Sequence, residues 1–282
     1  MFKIFKNAFK ISYNNLIIAT PLLLFLLILN VYLMIAKDAV KALPSAILLF
    51  LTLFLMVSAF LAGWLYMIKI AVDNYINRNS EQDSNNYSLI HEFPVGIAEY
   101  IKPFLGFTIL YILFADLAFV TTYHIGLKCI GGIGVSFSTF IAATEAPVAM
   151  QAFIESLTKA QLIKINYWYL LMLCSLQLFS LLTLFWPVEL MYSTKNPIMA
   201  FFKSIKIVFT NPQVILLFIG INILNFLLMI FNYITMFNPI TYFIMTVVFF
   251  SFIVYIFVLL FLYYEEKIKG NSYSSTDSNG EE

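Results

Sequence analysis

Long apolar runs alternate with short polar or charged stretches along this 282-residue chain. A helix needs about 20 apolar residues to cross the hydrocarbon layer of a bilayer. Six runs qualify, and they lie at 16–36, 45–68, 104–123, 167–190, 213–236 and 240–263. The pattern therefore predicts an all-α integral membrane protein with six transmembrane helices.

A recurring unit precedes these runs: a short basic amphipathic stretch, an Asn or Pro break, then a long apolar run. The first copy is FKIFKNAFKISYNN at 2–15, and the last is AFFKSIKIVFTNP at 200–212. When Asn15 is set against Asn211, aromatic, small and basic residues coincide at several further positions. A weaker middle copy, EFPVGIAEYIKP, occupies 92–103. The chain thus divides into three hairpins, each with a basic prelude and two spans.

The preludes have the composition of helices that lie in the membrane plane, and we expect such helices at 2–13 and 199–210. The second spans of the hairpins also end alike, with Tyr at the interface and Lys just beyond. These endings are LYMIKIAVDN (65–74), ELMYSTKNP (189–197) and LYYEEKIKG (262–270). Triplication of one hairpin and convergence on the same interface both explain the pattern.

The connection inside the middle hairpin is the longest, from His124 to Asn166. Its first part is apolar but interrupted by glycines. Its second part, 146–164, places apolar residues on one face of a helix and polar residues on the other. We expect an extracytoplasmic insertion made of a re-entrant or surface segment and a helix on the outer face. The alternative is a seventh span at 125–143, which would put the C-terminus outside. The tail, 270–282, has the composition of a disordered segment.

Composition supports the membrane assignment. Hydrophobic residues make up 62% of the chain and charged residues 11%, whereas about a quarter of a soluble chain is charged. The first apolar run exceeds the 7–15 residues of a secretory h-region, which favours a retained span over a signal peptide. Two cysteines give no disulfide framework. The net charge of +1 argues against a nucleic-acid partner.

The distribution of Lys and Arg predicts the orientation, because cytoplasmic loops carry an excess of both. Eleven of these residues fall on the side that holds both termini. They are Lys3, Lys6, Lys10, Lys69, Arg78, Lys102, Lys195, Lys203, Lys206, Lys267 and Lys269. The five on the other side are Lys37, Lys41, Lys128, Lys159 and Lys164. We therefore predict a multi-pass cell-membrane protein with cytoplasmic N- and C-termini.

Few polar residues lie inside the runs. Asp116 is the one acidic residue deep in a run, and a carboxylate at that depth marks either a proton or cation pathway or a structural hydrogen bond. Both interpretations stay open. Asn222 and Asn225 are expected to bond across helices. Glu189, near the cytoplasmic end of its span, is expected to cap the helix or pair with Lys195.

Signals of enzymatic chemistry are poor. The GGIG stretch at 131–134 lacks the Lys-Ser/Thr of a phosphate-binding loop. His91 and His124 have no neighbours at metal-ligand spacing. We therefore predict no enzymatic activity, no catalytic residues, no metal and no cofactor.

The stretch from 185 to 228, FWPVELMYSTKNPIMAFFKSIKIVFTNPQVILLFIGINILNFLL, carries a family resemblance. Its elements are an interfacial Glu189, then Ala200 and Ser204 on a short amphipathic helix, then a break at Asn211. A closing Tyr-Tyr pair followed by charges, at 263–267, completes it. The pattern resembles the membrane domain attached to some bacterial glycerophosphoryl diester phosphodiesterases and its stand-alone relatives. No phosphodiesterase catalytic domain is present, so the resemblance implies no activity and no catalytic residues.

Two functions are compatible with these features. The favoured one is a non-enzymatic membrane protein that acts through lipid or protein-partner contacts, with basic helices at anionic headgroups. The candidate headgroup contacts are Lys3, Lys6, Lys10, Lys203 and Lys206. The alternative is the permease subunit of a two-component ABC-type exporter, since six spans after an N-terminal amphipathic elbow resemble such permeases. That function would require a separate ATPase partner, received by the 199–210 helix or the 73–92 loop.

Overall fold

A computed structural model of the chain describes residues 1–39, 43–77, 88–144, 146–235 and 238–269. Eleven α-helices lie within these ranges, numbered here in chain order. They are α1 (Phe2–Asn14), α2 (Ala19–Ala39), α3 (Leu43–Ile76), α4 (Ser88–Cys129), α5 (Phe137–Thr144), α6 (Pro147–Ser156), α7 (Lys159–Leu182), α8 (Trp186–Tyr192), α9 (Pro197–Thr210), α10 (Gln213–Thr235) and α11 (Pro239–Tyr263). A 3-10 turn, Leu16–Ile18, joins α1 to α2, and a π-helical turn, Tyr264–Lys269, continues α11. The predicted disordered tail lies outside the described residues.

Six helical segments in the described part of the chain are long and apolar enough to cross a membrane, as predicted. They are Leu16–Ala36, Leu43–Ile76, Ser88–Cys129, Lys159–Tyr192, Pro212–Thr235 and Ile240–Lys269. The second, third, fourth and sixth segments are longer than the apolar runs that predicted them, because more polar helical turns continue at their ends. The protein is an all-α multi-span membrane protein.

The chain divides into two compact units. Unit 1 comprises Met1–Leu110 and Thr183–Glu282, and unit 2 comprises Tyr111–Leu182. In unit 1 the buried side chains gather where the C-terminal halves of α3 and α11 meet α1 and α8, and where α9 packs on α8. The opposite halves of α3 and α11 expose large apolar side chains. That composition suits contact with lipid.

The amphipathic helices α1 and α9 bury equivalent faces. The buried residues of α1 are Ile4, Ala8, Ile11 and Ser12, and those of α9 are Ala200, Ser204, Ile207 and Val208. With Asn15 set against Asn211, the two sets coincide position by position. The next buried pair, Ile18 and Val214, coincides as well. The first and last copies of the sequence repeat therefore pack in the same way.

The breaks after these two helices use the same hydrogen bond. Asn15 donates its side-chain Nδ2 to the carbonyl of Ile11 at 2.8 Å, and Asn211 donates to that of Ile207 at 3.3 Å. In each case the backbone N–H of the same asparagine also bonds this carbonyl, so the side chain adds a second hydrogen bond at the last turn of the helix. The chain is then free to turn into the following span.

The middle copy does not form a separate helix. It has Lys102 at the position of the two capping asparagines, and α4 runs unbroken from Ser88 to Cys129. Pro94 and Pro103 both lie inside this helix. A proline removes one backbone donor but supplies no cap that would end the helix. The predicted basic prelude of the middle hairpin is therefore the first part of the third span, which corrects the sequence-based expectation.

Two buried tryptophans of unit 1 form hydrogen bonds to the backbone at positions where a new helix begins. Trp64 of α3 donates its indole N–H to the carbonyl of Ile18, 2.9 Å away, just before α2 begins. Trp186 of α8 donates to the carbonyl of Pro197, 2.8 Å away, at the first residue of α9. Each indole therefore buries a large apolar surface and satisfies its one polar group.

Unit 2 is organised by close contact between α4 and α7. A Cβ at Gly126 would lie 2.3 Å from the Trp168 ring, so only glycine admits the indole there. The Trp168 N–H donates to the carbonyl of Gly131 at 3.1 Å. The hydroxyls of Thr122 and Ser175 are 2.6 Å apart, in hydrogen-bond contact between the two helices.

The connection between α4 and α7 differs from the sequence-based expectations in two places, the first of which is the segment 125–143. The alternative seventh span at 125–143 is not a continuous helix, because α4 ends at Cys129 and Gly131 and Gly134 adopt φ values of 78° and 76°. Helix α5, with eight residues, is too short to span.

The helix expected at 146–164 is divided between α6 and the start of α7. Thr158 and Gln161 form a capping box at that point: the Gln161 side chain accepts from the Thr158 N–H at 2.9 Å, and the Thr158 hydroxyl accepts from the Gln161 N–H at 3.3 Å. This reciprocal capping starts a new helix at Lys159.

Candidate functional site

The second spans of the three hairpins end with a tyrosine followed three positions later by a lysine. Tyr66, Tyr192 and Tyr264 occupy the equivalent position. The rings of Tyr192 and Tyr264 stack in unit 1, with centroids 5.4 Å apart and planes 10° apart. Charged groups from α3, α4, α8 and α9 surround them. We name this set the tyrosine–carboxylate cluster; its members are Tyr66, Lys69, Asp73, Glu99, Tyr100, Glu189, Tyr192, Ser193, Lys195, Lys203, Tyr264, Glu265 and Lys269.

Tyr192 joins α3 to α8. Its hydroxyl donates a hydrogen bond of 2.8 Å to Asp73 Oδ1. The ammonium groups of Lys69 and Lys269 lie 5.2 and 5.3 Å from the centre of the Tyr192 ring. A cation over an aromatic ring contributes about 0.5–1 kcal/mol at an exposed site. The Tyr192 side chain thus contacts one carboxylate and two ammonium groups.

Glu189 of α8 is the most deeply buried acidic residue among those described, with 3% of its surface exposed. Its Oε1 accepts a hydrogen bond of 2.9 Å from the Tyr264 hydroxyl. Its Oε2 is buried and accepts no hydrogen bond from any described residue. The nearby Lys203 ammonium donates to the Ser193 hydroxyl at 2.5 Å. The end of α11 and the middle of α9 are therefore both joined to this end of α8.

Lys195 does not pair with Glu189, which corrects the sequence-based expectation. It forms an ion pair of 2.8 Å with Glu99 of α4, and its ammonium lies 4.8 Å from the centre of the Tyr100 ring. The Tyr100 hydroxyl donates to the carbonyl of Met191 at 3.3 Å. Because both ends of the Lys195–Glu99 pair are exposed, it stabilises the fold by at most about 1 kcal/mol.

The polar residues predicted inside the spans are not brought together. Asp116 is exposed on the part of α4 in unit 2, and no hydrogen bond or ion pair joins it to a described residue. Asn222 donates to the carbonyl of Phe218 in its own helix at 2.9 Å, not to another helix as expected. Asn225 is exposed. The role of Asp116 stays a prediction.

The five candidate headgroup lysines fall into two groups. Lys3, Lys6 and Lys10 of α1 and Lys206 of α9 are exposed. Lys203 is half-buried and engaged by Ser193. The equivalent amphipathic helices therefore differ in how many lysines they offer to a membrane surface.

Sequence reasoning identified the interfacial tyrosines and lysines but missed their convergence. The signal that could have found it is the shared Tyr-x-x-Lys pattern, because equivalent span ends meet at the same level of a bundle. The carboxylates gave no such signal, because Asp73 follows the tyrosine of its span end whereas Glu189 precedes the tyrosine of its own.

Among the described residues, no group of three or more His, Cys, Asp or Glu side chains comes together as metal ligands would. The cluster offers carboxylates, phenols and ammonium groups in nearly balanced numbers. Its observed interactions are hydrogen bonds, charge pairs and cation–ring contacts that join the surrounding helices.

Comparison with protein-family models, with curated proteins and with solved structures finds no match to this chain. The resemblance to the phosphodiesterase-associated membrane domain stays a prediction. Glu189, Ala200 and Ser204, which carry that resemblance, are all buried at the junction of α8 and α9.

Proposed function

We propose that this protein is a non-enzymatic multi-span membrane protein that acts at the cytoplasmic membrane surface by contacting anionic lipid headgroups through α1 and α9. The observation that supports the proposal is that each helix packs one face on the rest of unit 1. Its opposite face is exposed and carries aromatic or other apolar residues beside lysine. A helix with these surfaces is suited to the boundary between acyl chains and headgroups.

Helix α1 shows the arrangement most fully. Its buried face packs on α11 and α3. On the opposite side Phe2, Phe9 and Tyr13 are exposed. Helical periodicity of about 100° per residue places Lys3, Lys6 and Lys10 in a separate stripe next to these aromatic residues. Aromatic rings favour the level of the headgroups, and the adjoining lysines would meet lipid phosphates there.

Helix α9 repeats the arrangement with fewer charges. Ile198, Phe202 and Phe209 are exposed opposite its buried face, and 78% of the Phe209 surface is exposed. Lys206, the equivalent of Lys10, is exposed beside them. A lysine near an anionic surface contributes about 1 kcal/mol, so the four exposed lysines together are worth a few kcal/mol.

The experiment measures lipid selectivity of the purified protein. Delipidated protein in a neutral detergent is titrated with phosphatidylglycerol or phosphatidylcholine, and the midpoint of thermal unfolding is recorded. We expect phosphatidylglycerol to raise the midpoint more than phosphatidylcholine does. The double variant Lys10→Gln/Lys206→Gln removes one lysine at the equivalent position of each helix, and it should lose a large part of that difference.

The matched control is Lys128→Gln/Lys159→Gln, which removes two exposed lysines from unit 2. It should respond to phosphatidylglycerol as the wild type does. Equal stabilisation by both lipids, or equal losses in the two double variants, would contradict the proposal.

The permease of an ABC-type exporter stays the alternative. It differs in requiring a stable ATPase partner, whereas the lipid-contact proposal requires none. A neighbouring ATPase gene whose product copurifies in a mild detergent, and whose ATP hydrolysis this protein stimulates, would favour the exporter.

A further inference from the structure

The Glu189 side chain is buried and forms no ion pair with a described residue. It is 3% exposed, and only Oε1 has a hydrogen-bond donor, the hydroxyl of Tyr264 at 2.9 Å. Oε2 accepts no hydrogen bond of good geometry from a described residue, although the Ser193 hydroxyl lies close to the carboxyl group. The nearby ammonium of Lys203 is bonded to the hydroxyl of Ser193.

A charged carboxylate is unfavourable in this environment. An ionised group removed from water is destabilised strongly unless it is paired and hydrogen-bonded at both oxygens. A proton on Oε2 removes the charge and leaves the hydrogen bond from Tyr264 to Oε1 in place. The exposed Ser193 hydroxyl lies next to the carboxyl group and offers a route to solvent.

We propose that Glu189 is a proton-binding site of the folded protein. One proton passes from water to Oε2, an O–H bond forms there, and the carboxylate becomes a neutral carboxylic acid. Lys203 is a positioning residue, because its positive charge opposes proton uptake and so lowers the pH at which uptake occurs. Proton binding and release at this point would act on the junction of α8, α9 and the end of α11.

Other titratable and charged groups lie on every element around this junction. They are Lys69 and Asp73 on α3, Tyr100 on α4, Tyr192 on α8, Lys203 on α9, and Tyr264, Glu265 and Lys269 on the continuation of α11. Asp73 already accepts from Tyr192, and Glu265 is paired with Lys269. These carboxylates have partners, whereas Oε2 of Glu189 accepts no hydrogen bond of good geometry from a described residue.

The test combines infrared spectroscopy with thermal unfolding of the full chain in detergent. As the pH is lowered, wild-type protein labelled with ¹³C-glutamate should show the C=O stretch of one protonated glutamic acid before those of the exposed glutamates, and Glu189→Gln should remove that band. Lys203→Gln should shift the titration of the band to higher pH. Glu99→Gln, which alters an exposed paired carboxylate, is the control and should leave the band unchanged.

The unfolding measurement separates proton binding from a purely structural role. If the folded protein holds a proton that the unfolded chain releases, the wild-type midpoint should rise as pH is lowered from neutral. Glu189→Gln imitates the neutral acid, so it should fold normally and lose that part of the pH dependence. Absence of the acid band in the wild type at every pH at which the protein is folded would overturn the proposal.

A Glu189→Gln variant that is strongly destabilised at neutral pH would also overturn it, because a structural carboxylate must stay charged. If that variant cannot be purified, the labelled wild type and Lys203→Gln still decide: a band that is present and shifted supports the site, and a band that is absent or unshifted refutes it.

Discussion

Three tyrosines of the tyrosine–carboxylate cluster, which are buried or half-buried, each donate to one acceptor. Tyr264 donates to Glu189, Tyr192 to Asp73, and Tyr100 to the carbonyl of Met191. The rings supply apolar surface to the core while the hydroxyls satisfy buried or half-buried acceptors. Tyrosine is therefore suited to the ends of these spans for two reasons: its ring favours the membrane interface, and its hydroxyl bonds acceptors within the protein.

A prediction at this scale concerns Asp116. Because the carboxylate has no partner among the described residues, Asp116→Leu should remove an insertion cost of about 2.5–3.5 kcal/mol without breaking an internal contact. We expect easier membrane insertion of this segment in a glycosylation-mapping assay, and an unfolding midpoint at or above that of the wild type. This outcome differs from the destabilisation that a hydrogen-bonded Asp116 would give.

Asp116→Asn is the control, because it removes the charge and keeps the shape. Loss of function in both variants, with normal insertion, would instead identify Asp116 as part of a proton or cation pathway.

At the scale of elements, the crossing of α3 and α4 depends on two glycines. A Cβ at Gly63 would lie 2.8 Å from the Phe93 carbonyl oxygen. A Cβ at Gly96 would lie 2.4 Å from the Tyr66 Cβ and 3.0 Å from the Ala62 carbonyl oxygen. These two small residues therefore permit the close approach of α3 and α4.

Gly96→Ala should force these helices apart and destabilise the protein by about 1–3 kcal/mol, measured by thermal unfolding in detergent. The control is Gly220→Ala in α10, where the added methyl would lie 3.5 Å from Phe5, an ordinary contact distance. That variant should be neutral, or stabilised by up to about 1 kcal/mol. Equal behaviour of the two variants would show that the α3–α4 crossing tolerates a larger separation.

The capping asparagines give a second prediction for the elements. Asn211→Ala removes the side-chain hydrogen bond to the Ile207 carbonyl and should cost about 0.5–1.5 kcal/mol. The angle between α9 and α10 should also become less defined. Spin labels at Lys206 and Phe226, both exposed, would report this change as a broader distance distribution.

Asn222→Ala is the matched control, since its amide also bonds a carbonyl four residues earlier but lies within the continuous helix α10. It should leave the distance distribution unchanged. A narrow distribution in Asn211→Ala would show that packing alone fixes the break.

At the scale of the whole molecule, the charge asymmetry predicts which side of the membrane each loop occupies. On a background with Cys129 and Cys174 replaced by Ser, single cysteines at Asn85 and Ser274 should be labelled only after the membrane is permeabilised. A cysteine at Lys159 should be labelled in intact cells by a membrane-impermeant reagent. Asn85 and Ser274 lie outside the described residues.

External labelling at Asn85 or Ser274 would refute the predicted orientation, and so would protection of the Lys159 position. A reversed pattern at all three sites would preserve the six spans and place the tyrosine–carboxylate cluster on the outer side.

The sequence by itself determined the class and the number of spans, since apolar length is a local property that a helix expresses wherever it inserts. It also determined the repeat of α1 and α9. The spacing of buried positions and the capping asparagine act within a single helix and its first turn, so they can be seen without the rest of the chain.

Only the tertiary structure decided the partners within the cluster. Glu189 meets Tyr264, 75 residues away, and Asp73 meets Tyr192 across 119 residues. Nearness in sequence favoured Lys195 as the partner of Glu189, but the helices direct that lysine to Glu99. Which charges pair depends on the relative rotation and depth of distant helices. Hydrophobic periodicity restricts that arrangement without fixing it.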